Sequence, residues 1–148
     1  MLFRSLDELT KGGFRPLTND TELTDPGSVE RVVVCSGKVF YDLNEARKKS
    51  GERRVALVRC EQFYPFPQAA LIEILAGYPK VKQLVWCQEE PKNMGGWTFM
   101  ESRLENLLSR CERPRYVGRE ASASPATGSY AVHTQEQQRL VSEALTIE

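Results

Sequence analysis

Histidine is nearly missing from this sequence: His133 is its single imidazole in 148 residues. It precedes the last helical pattern with no Ser or Cys nucleophile motif beside it, and so reads as a capping or interface residue rather than a general base. The four cysteines, Cys35, Cys60, Cys87 and Cys111, contain no CxxC pair. That argues against a zinc site and a disulfide framework, and for a reduced, cytoplasmic setting. Cys35, Cys60 and Cys87 each close an apolar run and lack a fourth ligand of suitable type, so they read as buried small hydrophobes. An excess of one charge is also missing. Twenty Lys and Arg balance twenty Asp and Glu, which points to neither nucleic acid nor a membrane surface as a partner. Such a chain has little colloidal repulsion, as suits one that works assembled. No apolar run approaches the roughly 18–20 residues of a membrane span. The opening MLFRSLDELTKGG carries charges throughout and lacks an apolar signal core.

What is present is one domain's worth of chain, enough to bury roughly 68–70% of its unfolded surface. Residues 1–29 are rich in Gly, Pro, Asn, Asp and Thr and hold no sustained period, so they read as a linker or arm from a preceding domain. Residues 30–148 form the domain proper. RVVVC is a β-branched, continuously apolar run, the sign of a strand buried on both faces. KVFYDLNEARKKSG follows as a helix, with Val39, Leu43 and Ala46 on one stripe and Gly51 as its stop. The alternation repeats. VALVRC is a strand and PQAALIEILAGY a helix, with Pro67 at its start and Gly77 near its end. QLVWC is a strand, and GWTFMESRLENLLSRC is a helix with Phe99, Leu104, Leu107 and Leu108 on its apolar face. RYVG is a short strand, and TQEQQRLVSEAL is a last helix with Thr134 as N-cap and Gln137 completing a capping box. This order predicts an α/β fold, a three-layer α/β/α sandwich around a mostly parallel sheet.

In such sheets the loops beyond the carboxyl ends of the strands meet ligands and partners. Here they are residues 36–38 (SGK), 61–67 (EQFYPFP), 88–96 (QEEPKNMGG) and 119–129 (REASASPATGS). They should share one rim, bringing Lys38, Glu61, Glu89, Glu90 and Arg119 within range of one another. Glu89 and Glu90 suggest an acid–base dyad, yet adjacent residues leaving a strand point in opposite directions. One is expected to turn inward to Lys38 or Arg119, the other outward to a partner or solvent. SGK resembles the end of a phosphate loop, but the upstream glycine is missing and Val39 replaces the Ser or Thr. An anion at the following helix N-terminus stays open. Residues 118–133 read as an ordered loop packed on another surface, with a flexible linker as the alternative. Phe63, Tyr64 and Phe66, between two prolines, offer interface anchors or fold back over the sheet.

Taken together, RVVVCSGKVFYDL, VRCEQFYPFP, VWCQEEPKNMGGW, YVGREASASPATGS and HTQEQQRLVSEAL resemble the C-terminal domain of the 2-oxoglutarate dehydrogenases, from about Arg31 onward. SLDELTKGGFRP resembles the segment leading into that domain. The family is transketolase-like. Its resemblance implies a decarboxylating first component that uses thiamine diphosphate and Mg, acts on 2-oxoglutarate, and succinylates the lipoyl group of a succinyltransferase component. It implies a homodimer whose third, C-terminal domain braces the subunits, with the remaining domains of the same chain, the dimer mate and the succinyltransferase as partners. The GDG…N pattern for pyrophosphate and magnesium is absent from the sequence. No catalytic, cofactor-binding or metal-binding residue is therefore assigned to this segment, and no cofactor is expected in it. Rim and interface candidates are Lys38, Glu61, Tyr64, Glu89, Glu90, Asn93, Trp97, Arg119, Ser124 and His133. Gly95 and Gly96 would allow close backbone approach beside them. The alternative reading is a regulatory module binding a small anionic effector, such as a nucleotide or acyl-CoA, on the Lys38/Arg119 rim. A third is an assembly surface for the partner components.

Overall fold

A computed structural model describes Thr10, residues 13–105, Leu107 and residues 111–147. Its centre is a five-stranded sheet of β1 (Leu17–Thr18), β2 (Arg31–Cys35), β3 (Val55–Cys60), β4 (Gln83–Pro91) and β5 (Arg115–Arg119). The spatial order is β1-β3-β2-β4-β5, with β1 antiparallel and every other pairing parallel. Between the strands run α1 (Val39–Ser50), α2 (Gln68–Ala76), α3 (Trp97–Glu105) and, last, α4 (Tyr130–Leu145).

The strands alternate their side chains between two cores. Val32, Val34, Ala56, Val58, Leu84 and Trp86 face Leu71 and Leu75 of α2 and Met100 and Leu104 of α3. Val33, Leu57, Val85 and Val117 face Val39 and Leu43 of α1 and Leu140, Val141 and Ala144 of α4. All residues of β2 and β3 are buried, because helices cover both faces, as the unbroken apolar runs require. This is the expected three-layer α/β/α sandwich.

Two buried arginines lock the lower edge. Arg31 donates to Gln83 Oε1 at 2.8 and 2.9 Å and to the carbonyls of Glu143, Ala144 and Thr146. A cation there satisfies orphan carbonyls at the negative end of α4. Arg47 joins α1 to Val55 O at 3.0 Å and to the Asp20 carboxylate. The stretch expected as an arm is thus stitched to the sheet: β1 pairs with β3, and Val29 is fully buried. Residues 1–9, 11 and 12 lie outside the described residues.

Some element bounds differ from expectation. The last helix begins at Tyr130, with Ser129 as N-cap. Thr134 is therefore interior and no cap; its Oγ1 donates back to Tyr130 O at 3.0 Å. Threonine serves either role, since its hydroxyl reaches an i−4 carbonyl as readily as a cap amide. Strand β4 continues through Gln88, Glu89 and Glu90 to Pro91, beyond the end at Cys87 that the sequence predicts. A second neighbour explains it: Pro91 pairs with Arg119 of β5 across an irregular register. In α3 the core-facing residues are Trp97, Met100 and Leu104, with Phe99 only partly buried; Leu107 is buried just beyond the helix, and Leu108 lies outside the described residues.

Candidate functional site at the carboxyl edge of the sheet

Strand β2 leads through α1 to β3 on one side, and β4 leads through α3 to β5 on the other. The topological switch point, where open α/β sheets place ligands and contacts, lies between β2 and β4. There Lys38 Nζ sits 3.0 Å from Glu89 Oε1 and 3.2 Å from Asp42 Oδ2. Gln137 of α4 joins them, its Nε2 donating to Asp42 Oδ2 at 2.8 Å and Glu89 Oε1 at 2.9 Å. The hydrogen bond to Glu89, with a smaller one to Asp42, raises the Lys38 ammonium above its ordinary range. Glu89 turns to Lys38 while Glu90 is exposed. Two carboxylates facing apart share no proton, so they form no acid–base dyad.

Beside this cluster the loop after β4 is built around Gln88. Its side chain is buried, and its Oε1 accepts from Trp86 Nε1 at 2.8 Å and from the amides of Gly96 and Trp97 at 3.0 Å each. Its Nε2 faces the carbonyls of Glu90, Pro91 and Met94, the last at 2.7 Å. One neutral amide thus satisfies both donors and acceptors of a turn that leaves the sheet, as burial of that backbone demands. Gly95 has φ +66°, and a Cβ there would stand 2.9 Å from the Gln88 amide. A Cβ on Gly96 would meet Phe63 and Trp86 at 2.8 Å. Trp97, buried, packs on Tyr116 with ring centroids 5.5 Å apart. Burial pushes the Tyr116 phenol up to about 12.

The loop after β5 closes over the same edge. Asn93 and Ser122 exchange two hydrogen bonds, Nδ2 to Ser122 O and Ser122 N to Oδ1, both 3.0 Å. Ser124 Oγ donates to Ala126 O within the loop at 2.8 Å. Arg119, buried, places Nη2 2.7 Å from His133 Nδ1 and Nε 3.3 Å from Glu136 Oε2. Guanidinium can only donate, which assigns Nδ1 as acceptor and the imidazole hydrogen to Nε2. A cavity of about 270 Å³ beside Arg119 is lined by Pro91, Ser122, Ser124 and Glu136 among others.

The candidates do not form one continuous cluster. Lys38 meets Glu89, Asn93 meets the β5 loop, and Arg119 meets His133. Glu61 instead pairs with Arg59, which is buried against the rings of Phe40 and Tyr41. Tyr64 stands 81% exposed at that outer corner. The strand-end cysteines divide as well: Cys35 and Cys87 are register partners on the α1/α4 face, while Cys60 faces α2 and α3. All three are free and buried, and among the described residues no group of three or more His, Cys, Asp or Glu could hold a metal ion.

Residues 4–145 match the family model for the 2-oxoglutarate dehydrogenase C-terminal region. The chain belongs to that family. It is 42% identical over 146 residues to the 2-oxoglutarate dehydrogenase E1 component of Azotobacter vinelandii, covering 97% of this chain and 16% of the relative. The Haemophilus influenzae E1 component is 44% identical over 142 residues, with 96% of this chain and 15% of the relative covered. The oxoglutarate dehydrogenase of Buchnera aphidicola is 41% identical over 143 residues, at 97% and 16%. The chain therefore spans about one-sixth of the length of these relatives.

In this member of the 2-oxoglutarate dehydrogenase C-terminal family, the loop segments of the motifs that carry the resemblance, with Lys38, Gln88 to Trp97 and Arg119, lie at the carboxyl edge just described. Its organising residue is the uncharged Gln88, not the charged pair beside it that the sequence brings forward. The available signal was spacing. Trp86 and Gln88 are two apart on one strand, so they share a face, and a buried amide before a Gly-Gly turn has carbonyls and amides to satisfy.

Proposed function

We propose that this chain is the C-terminal, dimer-bracing domain of a 2-oxoglutarate dehydrogenase first component. The whole enzyme would decarboxylate 2-oxoglutarate on thiamine diphosphate with magnesium and pass the succinyl group to a lipoyl arm of the succinyltransferase component. A cytoplasmic setting belongs to the same proposal and is supported by the four free cysteines. The observation that carries the reading is the family match over residues 4–145, together with similarity to relatives about six times longer.

The described residues do not fit the cofactor. The carboxylates at the switch point, Asp42 and Glu89, both converge on Lys38 Nζ, and among the described residues no group of three or more His, Cys, Asp or Glu could hold magnesium. No catalytic step is assigned to this chain. What its edge offers is a closed, hydrogen-bonded surface in which Glu89, Asn93, Trp97, Ser124, Arg119 and His133 are fixed in place. Groups held by hydrogen bonds and ion pairs suit a bracing contact, since little freedom remains to be lost on association.

The test is a chimera in which this chain replaces the matching segment of the Azotobacter vinelandii component. A dimer that turns over 2-oxoglutarate is the expected result, against loss of both properties when the segment is removed. Full activity of the truncated component, or turnover by this chain alone, overturns the reading. A second reading, an anionic-effector module, would use the cavity beside Arg119, which Glu120 and Glu136 also line. Calorimetric titration with nucleotides and acyl-CoA checks it, and no heat at millimolar ligand rejects it.

A further inference from the structure

We infer that the outer corner of the sheet, carrying Phe14 and Tyr64, is the docking surface for the polypeptide that precedes this chain in the full-length enzyme. The inference rests on the reading above and adds the occupant of one particular surface. The corner is where the backbone arrives. The amides of Glu61 and Gln62 both donate to Pro16 O, at 2.8 and 3.2 Å, and Leu17 then pairs with Cys60. Phe14 lies two residues before this junction and Tyr64 two residues after it. They are 70% and 81% exposed, two of the five large hydrophobic side chains that stand exposed among the described residues.

Tyr64 is not held out by looseness. Its neighbour Phe63 points inward, edge-on to Trp86 at 5.6 Å and stacked with Phe99 at 6.4 Å. Gln62 Nε2 donates to Pro65 O at 2.8 Å, closing the turn beneath it. Phe66 packs on the same core, and Pro67 opens α2. An aromatic ring displayed on a loop anchored from both sides presents contact area at small entropic cost, which is the character of an interface anchor.

Connectivity decides between occupants. The family match begins at residue 4, and the ten residues from there to Phe14 span at most roughly 35 Å. Polypeptide joined ahead of residue 4 meets the corner at an effective concentration in the millimolar range, which a second copy or a separate component lacks. The relatives supply such a segment, since about five-sixths of their length lies outside the match. Tyr130 and Val132 of α4 are also exposed, but they belong to the Arg119–His133 side of the domain, across the sheet from the arriving chain.

The chimera with the Azotobacter vinelandii component tests this directly. Tyr64 is replaced by the photo-cross-linker p-benzoylphenylalanine, with replacements of Phe14 and Tyr130 made in parallel. Irradiated active protein is expected to yield, from positions 64 and 14, a product of single-polypeptide mass whose digest joins that position to the upstream sequence, several-fold more than from position 130. A product of twice the mass from position 64, marking a second copy, overturns the inference. So does an active chimera with no cross-link from either corner position. An inactive, unassembled chimera instead strikes the underlying reading, and the inference falls with it.

Discussion

Asp20 reaches from the segment before β2 to clamp Arg47 of α1, and both side chains are almost wholly buried. The same carboxylate accepts from the amide of Leu57 in the middle of β3 at 2.9 Å. A residue in sequence that looks like linker thereby holds a helix to a central strand. Removing one partner of a buried ion pair leaves the other charge uncompensated, at a cost of about 3–5 kcal/mol. Asp20→Ala should lower the unfolding free energy by that much, read as a lower urea midpoint at unchanged m-value. An effect below about 1 kcal/mol, the range of exposed pairs, would mean the clamp does not hold in solution.

Gln88→Leu keeps size but removes the amide that serves Trp86, Gly96, Trp97 and the carbonyls of Glu90, Pro91 and Met94. Each buried group left without a partner costs about 1–3 kcal/mol, although relaxation of the turn lets water reach some of them. The expected loss is about 3 kcal/mol, with amide exchange at Gly96 and Trp97 accelerated well beyond that at β2. Uniform acceleration across the chain would place the damage in global stability rather than in this turn.

Gly96→Ala probes the floor beneath the same loop. Its methyl would meet Phe63 and Trp86 at 2.8 Å, and both rings are packed against neighbours. Overpacking of this kind costs about 1–3 kcal/mol, read as a lower denaturation midpoint and a changed near-ultraviolet signal from Trp86. Gly13→Ala, with nothing within 4 Å of its Cβ, is the neutral comparison.

Much of this fold was legible because burial on both faces leaves continuous apolar runs. RVVVC, VALVRC and QLVWC announced β2, β3 and β4, and Gly51, with φ +71°, ended α1 where the residue type said it would. What stayed hidden depends on long-range partners. β1 is two residues long and exists only because β3 offers a free edge. The extension of β4 to Pro91 depends on β5, more than twenty residues away. At the edge, chemistry drew attention to the charged Glu89 and Glu90, whereas the turn is held by uncharged Gln88. The residue type of Gln88 does not announce its burial; only its spacing from Trp86, on the same face of one strand, does.

The Lys38–Glu89 contact should show in the pH dependence of stability. The folded-state ammonium titrates above its ordinary value because Glu89 hydrogen-bonds to it. Its contribution is therefore complete below the unfolded lysine value of about 10.4 and disappears as pH rises through the higher folded value. Lys38 is 62% exposed, so the pair contributes at most about 1 kcal/mol after solvent screening. The stability difference between the native protein and Lys38→Met should be flat from neutral pH to about 10 and shrink above about 10.4. It should also weaken in added salt. A difference that grows with pH in the alkaline range would have the wrong sign for this contact.

Thiol chemistry reports on the two cores separately. Burial pushes Cys60 up to about 11 and Cys87 up to about 12, and raises fully buried Cys35 well above the usual thiol range. The thiolate is the reactive form, so high pKa and lack of access both slow alkylation. In the folded protein at pH 8, Cys111, which is partly exposed, should react first with a maleimide, and the other three only as fast as the sheet opens. Because Cys35 and Cys87 face α1 and α4 while Cys60 faces α2 and α3, Gly96→Ala should speed labelling of Cys60 more than that of Cys87. Equal acceleration of both would show that the two faces of the sheet unfold as one unit, with the loop after β4 giving no separate access to the core beneath it.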